Sequence, residues 1–526
     1  MSKSILIIGG GMAGLSAGCY AQMNGYRSQI FELHHHPGGL ATSWKRGEYS
    51  FEAGVRAVTG TGPTSKVYQL WDELGLLDGR SIHYYDEFTR FEGADGRSFR
   101  LYTDIGRLEQ HMLELAPQDR DVIEDLTEAL RQFTRMELPV DLTPSNPLEF
   151  VQLGYDVLPS LVPVLRWRNV TVREFAARFR DPLLRQALPQ VMHFAPADFP
   201  MVMLLKTLAK MNDREAGFPI GGSAKLGQDL AREYVALGGE IHCNARVDRI
   251  LVEASPGRGR RRDRAVGLRL QDGTEHHGDI VISAADGRST IFDLLEGRYV
   301  DDSVRSYYRD LPLAASVVKV SLGVARDMSS EPPSVDFPLR EPIMVGNIAH
   351  DRLELKHYCF DPTMAPAGKS SLGIWCEADY DYWKTLRADR EQYRATKQKV
   401  AEQVIAALDE RYPGLRAAVE VVDVATPLSY ERATANWRGA YSGWALTMRK
   451  QNMIMSQGMD KTLPGLDSFY MIGQWVEPGG SVDFSAGAGR DVIKDICRVE
   501  DRAFNTARLK RPATEAEGGV LVPVES

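Results

Sequence analysis

A chain of 526 residues exceeds one average domain, so two interleaved or consecutive domains are expected. Its 43% hydrophobic and 25% charged residues are ordinary for a globular protein. A formal net charge of −8 argues against bulk attraction to nucleic acid or anionic lipid, while apolar docking on a membrane stays open.

Five cysteines (Cys19, Cys243, Cys359, Cys376 and Cys497) are widely spaced and form no C-x-x-C pair, as expected of thiols in a reducing compartment. The apolar stretch at the N-terminus is too short for a signal peptide, and no uninterrupted apolar run is long enough to span a bilayer. A cytoplasmic protein, or one peripheral on a membrane, is expected.

In chain order, Ile5-Leu6-Ile7-Ile8 reads as a strand, Gly9, Gly10, Gly11 and Gly14 as a tight turn, Leu15 to Asn24 as a helix, and Gln29-Ile30-Phe31 as a second strand ending in Glu32. Gly9 permits the tight exit, Gly11 lets a pyrophosphate approach the backbone, and Gly14 lets the helix pack close to the sheet. The helix N-terminus offers unpaired N–H groups to the phosphates. Glu32 stands 18 residues after Gly14, where an acid accepts ribose hydroxyls. This pattern specifies a dinucleotide without choosing between NAD(P) and FAD.

His34-His35-His36 invites a metal reading, but neighbours on an extended chain alternate in direction, so a solvated loop is favoured and no metal is expected. Gly38-Gly39 suggests a second close backbone approach to the cofactor. Residues 64–77 read as an amphipathic helix, 83–102 as a hairpin turning at Asp95-Gly96, and 104–136 as helical. The segment 146–168 is apolar, interrupted by Asp156, Pro159 and Pro163, and closed by Arg166, Trp167 and Arg168. It is either a kinked core helix or a membrane-interface segment with Trp and Arg at headgroup level. The helical stretch 172–210 is rich in Met, which suits an irregular apolar cavity or ordinary core packing.

An α/β pattern returns over 216–285, with a glycine turn at Gly221-Gly222, a helix at Leu226 to Leu237 and a buried strand ending in Asp286. The arginines between Arg258 and Arg264 read as a solvated hairpin tip. Residues 314–324 and 369–377 read as strands of a second sheet, and 391–411 as a charged helix. Near the end, Phe469 to Gln474, Pro478 to Ser481 and Ala486 to Val492 repeat the order strand, glycine turn, helix N-terminus. The tail 509–526 is expected to be disordered.

A last segment that returns to the first nucleotide-binding unit points to FAD. The sequence resembles the phytoene desaturase, carotenoid isomerase and retinol saturase family of FAD-dependent oxidoreductases, relatives of the flavin amine oxidases. The likeness covers nearly the whole chain and rests on Ile7 to Leu15, Glu32, Gly38 to Thr42, Pro219 to Gly222, Val247 to Ile250, Val281 to Asp286, Thr426 to Arg432 with Gly439 to Tyr441, and Gly473 to Val492. It implies an α/β fold: a glutathione-reductase-type FAD-binding, Rossmann-like domain with an interleaved α+β substrate domain. The cofactor domain would comprise 1–105, 215–300 and 421–508. The substrate domain would comprise 106–214 and 301–420, with 146–168 as a docking segment.

The resemblance also implies site roles. Gly9, Gly11, Met12, Ala13 and Gly14 would cradle the pyrophosphate, Glu32 would hold the adenosine ribose, and Val247 would meet the adenine through its backbone. Gly39 and Leu40 would approach the cofactor, Gly473 and Gln474 the ribityl–phosphate, and Gly480, Ser481 and Val482 the isoalloxazine. Arg56, Tyr441 and Glu477 are the candidate catalytic residues near the flavin. Gln474, Asp483 and Arg490 depart from the family's usual pattern.

The expected activity is desaturation of a long apolar polyene or isoprenoid by hydride transfer to flavin N5, or the related saturation or cis–trans isomerisation. Such chemistry needs an apolar, water-excluding site more than acid–base groups. A flavin amine oxidase and a non-catalytic FAD-binding protein are the alternatives. The expected partners are an apolar small molecule and a membrane surface, without nucleic acid.

Overall fold

Ser4–Ile8 (β1) is buried on both faces, as the centre of a parallel sheet requires, and its aliphatic run Ile5 to Ile8 supplies the side chains. The computed structural model describes residues 2–136, 162–254, 262–448, 459–476 and 480–507. Within them β1 pairs in parallel with Arg27–Phe31 (β2), and β2 with Glu240–His242 (β3). On its other side β1 pairs with Ile280–Ser283 (β4), and β4 with Phe469–Met471 (β5). The order β3-β2-β1-β4-β5 therefore joins the last strand of the chain to the first across one sheet.

Four helices position the site: α1 (Met12–Met23), α2 (Met201–Asn212), α3 (Gly222–Ala236) and α4 (Val482–Val499). α1 is buried on almost every side, packed against the sheet, α3 and α4. Glycines set the closeness of these contacts. A Cβ at Gly14 would collide with the Gly9 carbonyl, and one at Gly489 of α4 would strike the α1 backbone at Ala13 and Ala17. Ser16 Oγ donates to the Ala486 carbonyl at 2.7 Å, tying α1 to α4. Arg490 donates to Glu73 at 2.9 Å, and the Tyr20 hydroxyl donates to the same carboxylate at 2.6 Å. Arg490 thus clamps three helices together.

A second sheet runs, among the described residues, in the order Val419–Ala425, Val317–Val324, Ser370–Glu377, Ile348–His357, Ser334–Val345, Glu87–Glu92, Ser98–Tyr102. The two strands expected at 314–324 and 369–377 are antiparallel neighbours in it. The hairpin Glu87–Tyr102, placed by the sequence within the first cofactor segment 1–105, hydrogen-bonds instead to the edge of this second sheet. Its apolar face, Phe91, Phe99 and Leu101, buries against the helices that follow, which draws it away from the parallel sheet. The hairpin Ser334–His357 escaped the sequence reading because Pro338 and Pro342 interrupt its first strand, and the pairing register breaks between Pro338 and Ile343.

The helical stretch 172–210 divides into Val172–Ala176, Pro182–Gln190 and α2. The helix expected over 64–77 is confined to Tyr68–Glu73. Most of 146–168, the arginine-rich tip at 258–261 and the tail 509–526 lie outside the described residues. At the end of the first of these, Trp167 is 3% exposed and stacks edge-on against Phe175 at 5.5 Å, so it is a core residue and not an interface anchor. Arg166 pairs with Asp125 at 2.5 Å. No disulfide joins the five cysteines. Among the described residues, no helix is long and apolar enough to cross a membrane.

Candidate functional site

A cavity of about 480 Å³ runs from the glycine turn after β1 to α2. Of the residues the sequence assigns to cofactor binding, Gly9, Gly11, Met12, Ala13, Glu32, Gly39, Leu40, Gly473, Gln474, Gly480, Ser481 and Val482 all line it. Gly14 does not, because it faces the Gly9 carbonyl and serves the packing of α1. Val247 does not line it either. Its side chain packs in the core with Ile8 and Phe31, and the expected contact with adenine is one of its backbone.

The turn is held by its own chain. Gly9 adopts φ +97°, open to glycine alone at little cost. The Gly10 N–H donates to Glu32 at 2.7 Å and the His34 N–H to the other carboxylate oxygen at 2.8 Å. Burial pushes the Glu32 carboxyl up, while these backbone donors pull it back. Gly38 N donates to the Gly10 carbonyl at 2.8 Å, so Gly38-Gly39 lies directly against the glycine turn. Asp286, just beyond β4, accepts from the backbone N–H groups of Ser289 at 2.7 Å and Trp437 at 2.8 Å. Burial raises its pKa to about 6.

At the other end Arg56 and Tyr441 both line the cavity, whereas Glu477 lies outside the described residues. Arg56 stacks over Phe88 at 4.5 Å, and its guanidinium is 3.2 Å from Glu354. Glu354 also contacts His193 at 3.2 Å and Lys356 at 3.0 Å. Burial alone would push the Glu354 carboxyl up, but His193, Lys356 and Arg56 together hold it far below the usual range. Burial brings the His193 imidazole down to about 4 and the Lys356 amine down to about 8. Nothing in the sequence pointed to this cluster, because the hairpin that carries Glu354 and Lys356 escaped the reading.

Two further residues belong here, Lys206, which the sequence reading missed, and Asp483, which it noted only as a departure from the resembled pattern. Lys206 lines the cavity from α2 with no carboxylate partner among the described residues, and burial lowers its pKa. Asp483, in the first turn of α4, lines the same wall. Beside His193, Thr207 and Lys210, this end carries the apolar side chains of Met192, Phe194, Phe199, Met203, Met211 and Leu446. The Met-rich helical stretch therefore contributes both to the core and to the cavity. The three histidines behave differently from expectation: the chain bends at 33–37, their rings converge, and one nitrogen of each lies within 4.8 Å of the others.

The site fits FAD on two local observations. A Cβ at Gly11 would meet only the Cα of Gly39, at 3.8 Å, so the open side of the turn faces the cavity at the N-terminus of α1. Ser481, the N-cap of α4, has a buried Oγ without a partner among the described residues. An open phosphate cradle and an orphaned hydroxyl at a second helix N-terminus suit the two ends of a flavin dinucleotide.

Comparison with known proteins agrees. The chain is 23% identical over 507 residues to a chloroplastic prolycopene isomerase of Arabidopsis thaliana, covering 92% of this chain and 81% of that one. It is 23% identical over 518 residues to a neurosporene-forming phytoene desaturase of Rhodobacter capsulatus, covering 93% of each. Among solved structures, an oxidoreductase from Methanosarcina mazei superposes with a TM-score of 0.56 at 16% identity, over 93% of this chain and all of that one. Putrescine oxidase bound to putrescine superposes at 0.57 with 15% identity, over 94% and 99%. With a family model matching residues 12–492, this chain belongs to the flavin containing amine oxidoreductases and is an FAD-dependent oxidoreductase.

Proposed function

We propose that this flavoenzyme acts on a long apolar polyene or isoprenoid of carotenoid type, by desaturation or by the related saturation or cis–trans isomerisation. The observation that carries this reading is the wall of the cavity beyond the cofactor end. Met192, Phe194, Phe199, Met203 and Met211 offer adaptable apolar surface without hydrogen-bonding groups. Relatives that span nearly the whole chain are a prolycopene isomerase and phytoene desaturases. The competing reading, amine oxidation, is disfavoured by charge. Arg56 and Lys210 line this end paired with Glu354 and Glu215, whereas Lys206 has no ion-pair partner among the described residues and opposes the entry of an ammonium substrate.

In this reading the first and last segments form a glutathione-reductase-type cofactor domain and the second sheet with its helices forms the substrate domain. Gly9, Gly11 and the N-terminus of α1 hold the pyrophosphate, Glu32 the ribose, and Val482 with its neighbours the isoalloxazine. Bound FAD supplies two-electron redox chemistry. The protein orients the hydrocarbon and excludes water, with Phe194 and Tyr441 as rings beside the reacting carbons and Arg56 held in place by Glu354. Val162 and Leu165, 72% and 52% exposed, extend an apolar surface next to 146–161 through which substrate could be drawn from a bilayer.

The test is to incubate the FAD-loaded protein with phytoene or prolycopene in phosphatidylcholine vesicles and to analyse the polyenes by mass and retention. Loss of hydrogen pairs or a change of geometric isomer supports the reading. Unchanged polyenes with a flavin that no donor or acceptor can reduce or oxidise would leave a non-catalytic FAD-binding protein.

A further inference from the structure

α2 and the first turn of α4 bring opposite charges to one wall of the cavity. The Lys206 ammonium lies 4.8 Å from the ring centre of Phe484, and Asp483 precedes that ring in α4. Both charges line the cavity and act on each other electrostatically, yet no ion pair joins them. Lys210, one turn further along α2, is already paired with Glu215, so it leaves Lys206 as the unneutralised cation of that helix face. An ammonium so enclosed costs several kcal/mol unless an anion or dipole meets it. The same wall carries the N-terminus of an 18-residue helix whose N-cap Ser481 makes no side-chain cap bond and buries an orphaned Oγ. The positive end of the helix dipole and the Lys206 charge therefore converge, moderated by one carboxylate.

We propose that Lys206 and Asp483 form a split charge pair that sets the reduction potential of the FAD, Lys206 raising it and Asp483 lowering it. This rests on the reading above that the flavin ring lies against Val482. Uptake of two electrons and one proton adds one negative charge to the flavin, carried on the pyrimidine side of the ring. A cation beside it stabilises the reduced form over the oxidised one, and a carboxylate opposes that. A hydrocarbon substrate brings no charge of its own, so the ring is the partner that gives this pair a purpose.

The test measures the flavin potential of the holoprotein by dye-equilibrated anaerobic titration, with FAD content checked by absorbance. Lys206→Met destabilises the reduced form relative to the oxidised one about tenfold, a fall of about 30 mV for a two-electron couple. Asp483→Asn moves the potential upward, and Lys206→Arg keeps it near that of the unaltered protein. Shifts of opposite sign distinguish tuning from loss of structure. Potentials that do not move, or that move in the same direction in both variants, overturn the proposal. So does an unchanged potential in Lys206→Met together with weakened binding of retinoic acid, which would assign the ammonium to a carboxylate ligand. If the unaltered chain takes up no FAD, the cofactor placement itself falls. If FAD binds and the potentials stay fixed, only the charge-pair proposal fails.

Discussion

Gly11→Val separates the cofactor cradle from the fold. Gly11 has φ −76° and ψ −178°, an extended conformation that suits a β-branched residue, so the backbone is not strained by the change. Its added Cβ meets only the Gly39 Cα at 3.8 Å, an ordinary contact. Reduced freedom of the unfolded chain even favours the variant by about 0.4–1 kcal/mol. The FAD-free protein should therefore unfold within about 0.5–1 kcal/mol of the unaltered chain. The new methyls, however, stand where a pyrophosphate must approach. Forcing extra carbon into a filled site costs about 1–3 kcal/mol, or a factor of about 5 to 150 in Kd.

The assay is thermal unfolding of the FAD-free protein with and without added FAD, alongside titration of FAD fluorescence. Ligand raises the Tm of the unaltered protein by mass action and should raise that of Gly11→Val far less at the same concentration. Gly14→Ala is the control with the opposite signature. Its Cβ collides with the Gly9 carbonyl, so the FAD-free protein itself should lose about 1–3 kcal/mol. A Gly11→Val protein that keeps full yellow colour and an unchanged Kd would refute the placement of the pyrophosphate.

Other consequences can be measured on the same protein. Glu73→Gln should cost about 3–5 kcal/mol in chemical denaturation, because it removes the carboxylate charge that buried Arg490 pairs with and takes an ionised acceptor from Tyr20. Asp286 has a folded pKa near 6 against an ordinary 3.8, so its contribution to stability is greatest below about pH 4 and is lost as pH rises through 6. Asp286→Asn should remove that dependence, worth about 3 kcal/mol, while the neighbouring N–H groups of Ser289 and Trp437 keep an acceptor oxygen. Flattening in the opposite sense, with stability rising from pH 4 to 6 only in the variant, would contradict the assignment. Flotation with phosphatidylcholine vesicles should retain the protein at high salt if the segment 146–168 docks through apolar contact, and protein left wholly in the soluble fraction would count against docking.

The cofactor end was legible in the sequence because its geometry is local. The turn Gly9 to Gly14, the acid Glu32 and the pair Gly38-Gly39 lie within forty residues and require special backbone conformations, which leaves a signature in residue type. The C-terminal return was legible for the same reason, through Gly473 and the small residues of α4 that admit α1. Val247 is less legible, because a backbone contact leaves no mark on the side chain, which here serves the core. The opposite end was hidden by distance. Arg56 was singled out, but its partners His193 and Glu354 come from separate parts of the chain, and each resembles an ordinary strand or loop residue until the fold assembles them. Trp167 shows the same limit, since an aromatic next to arginines reads alike at a membrane surface and under a core helix. The convergence of the histidine triplet was not foreseen because alternation holds for extended chain, and this segment bends.

The central claim is that an FAD enzyme here works on an apolar polyene rather than an amine. It is tested most directly by anaerobic single-turnover spectroscopy of the FAD-loaded protein, mixed in parallel with phytoene or prolycopene in phosphatidylcholine vesicles and with putrescine. The account predicts that phytoene bleaches the oxidised flavin, or that prolycopene is isomerised by the pre-reduced enzyme, while putrescine leaves the spectrum unchanged. Rapid bleaching by putrescine, with hydrogen peroxide released on admitting air and both polyenes recovered intact, would contradict it.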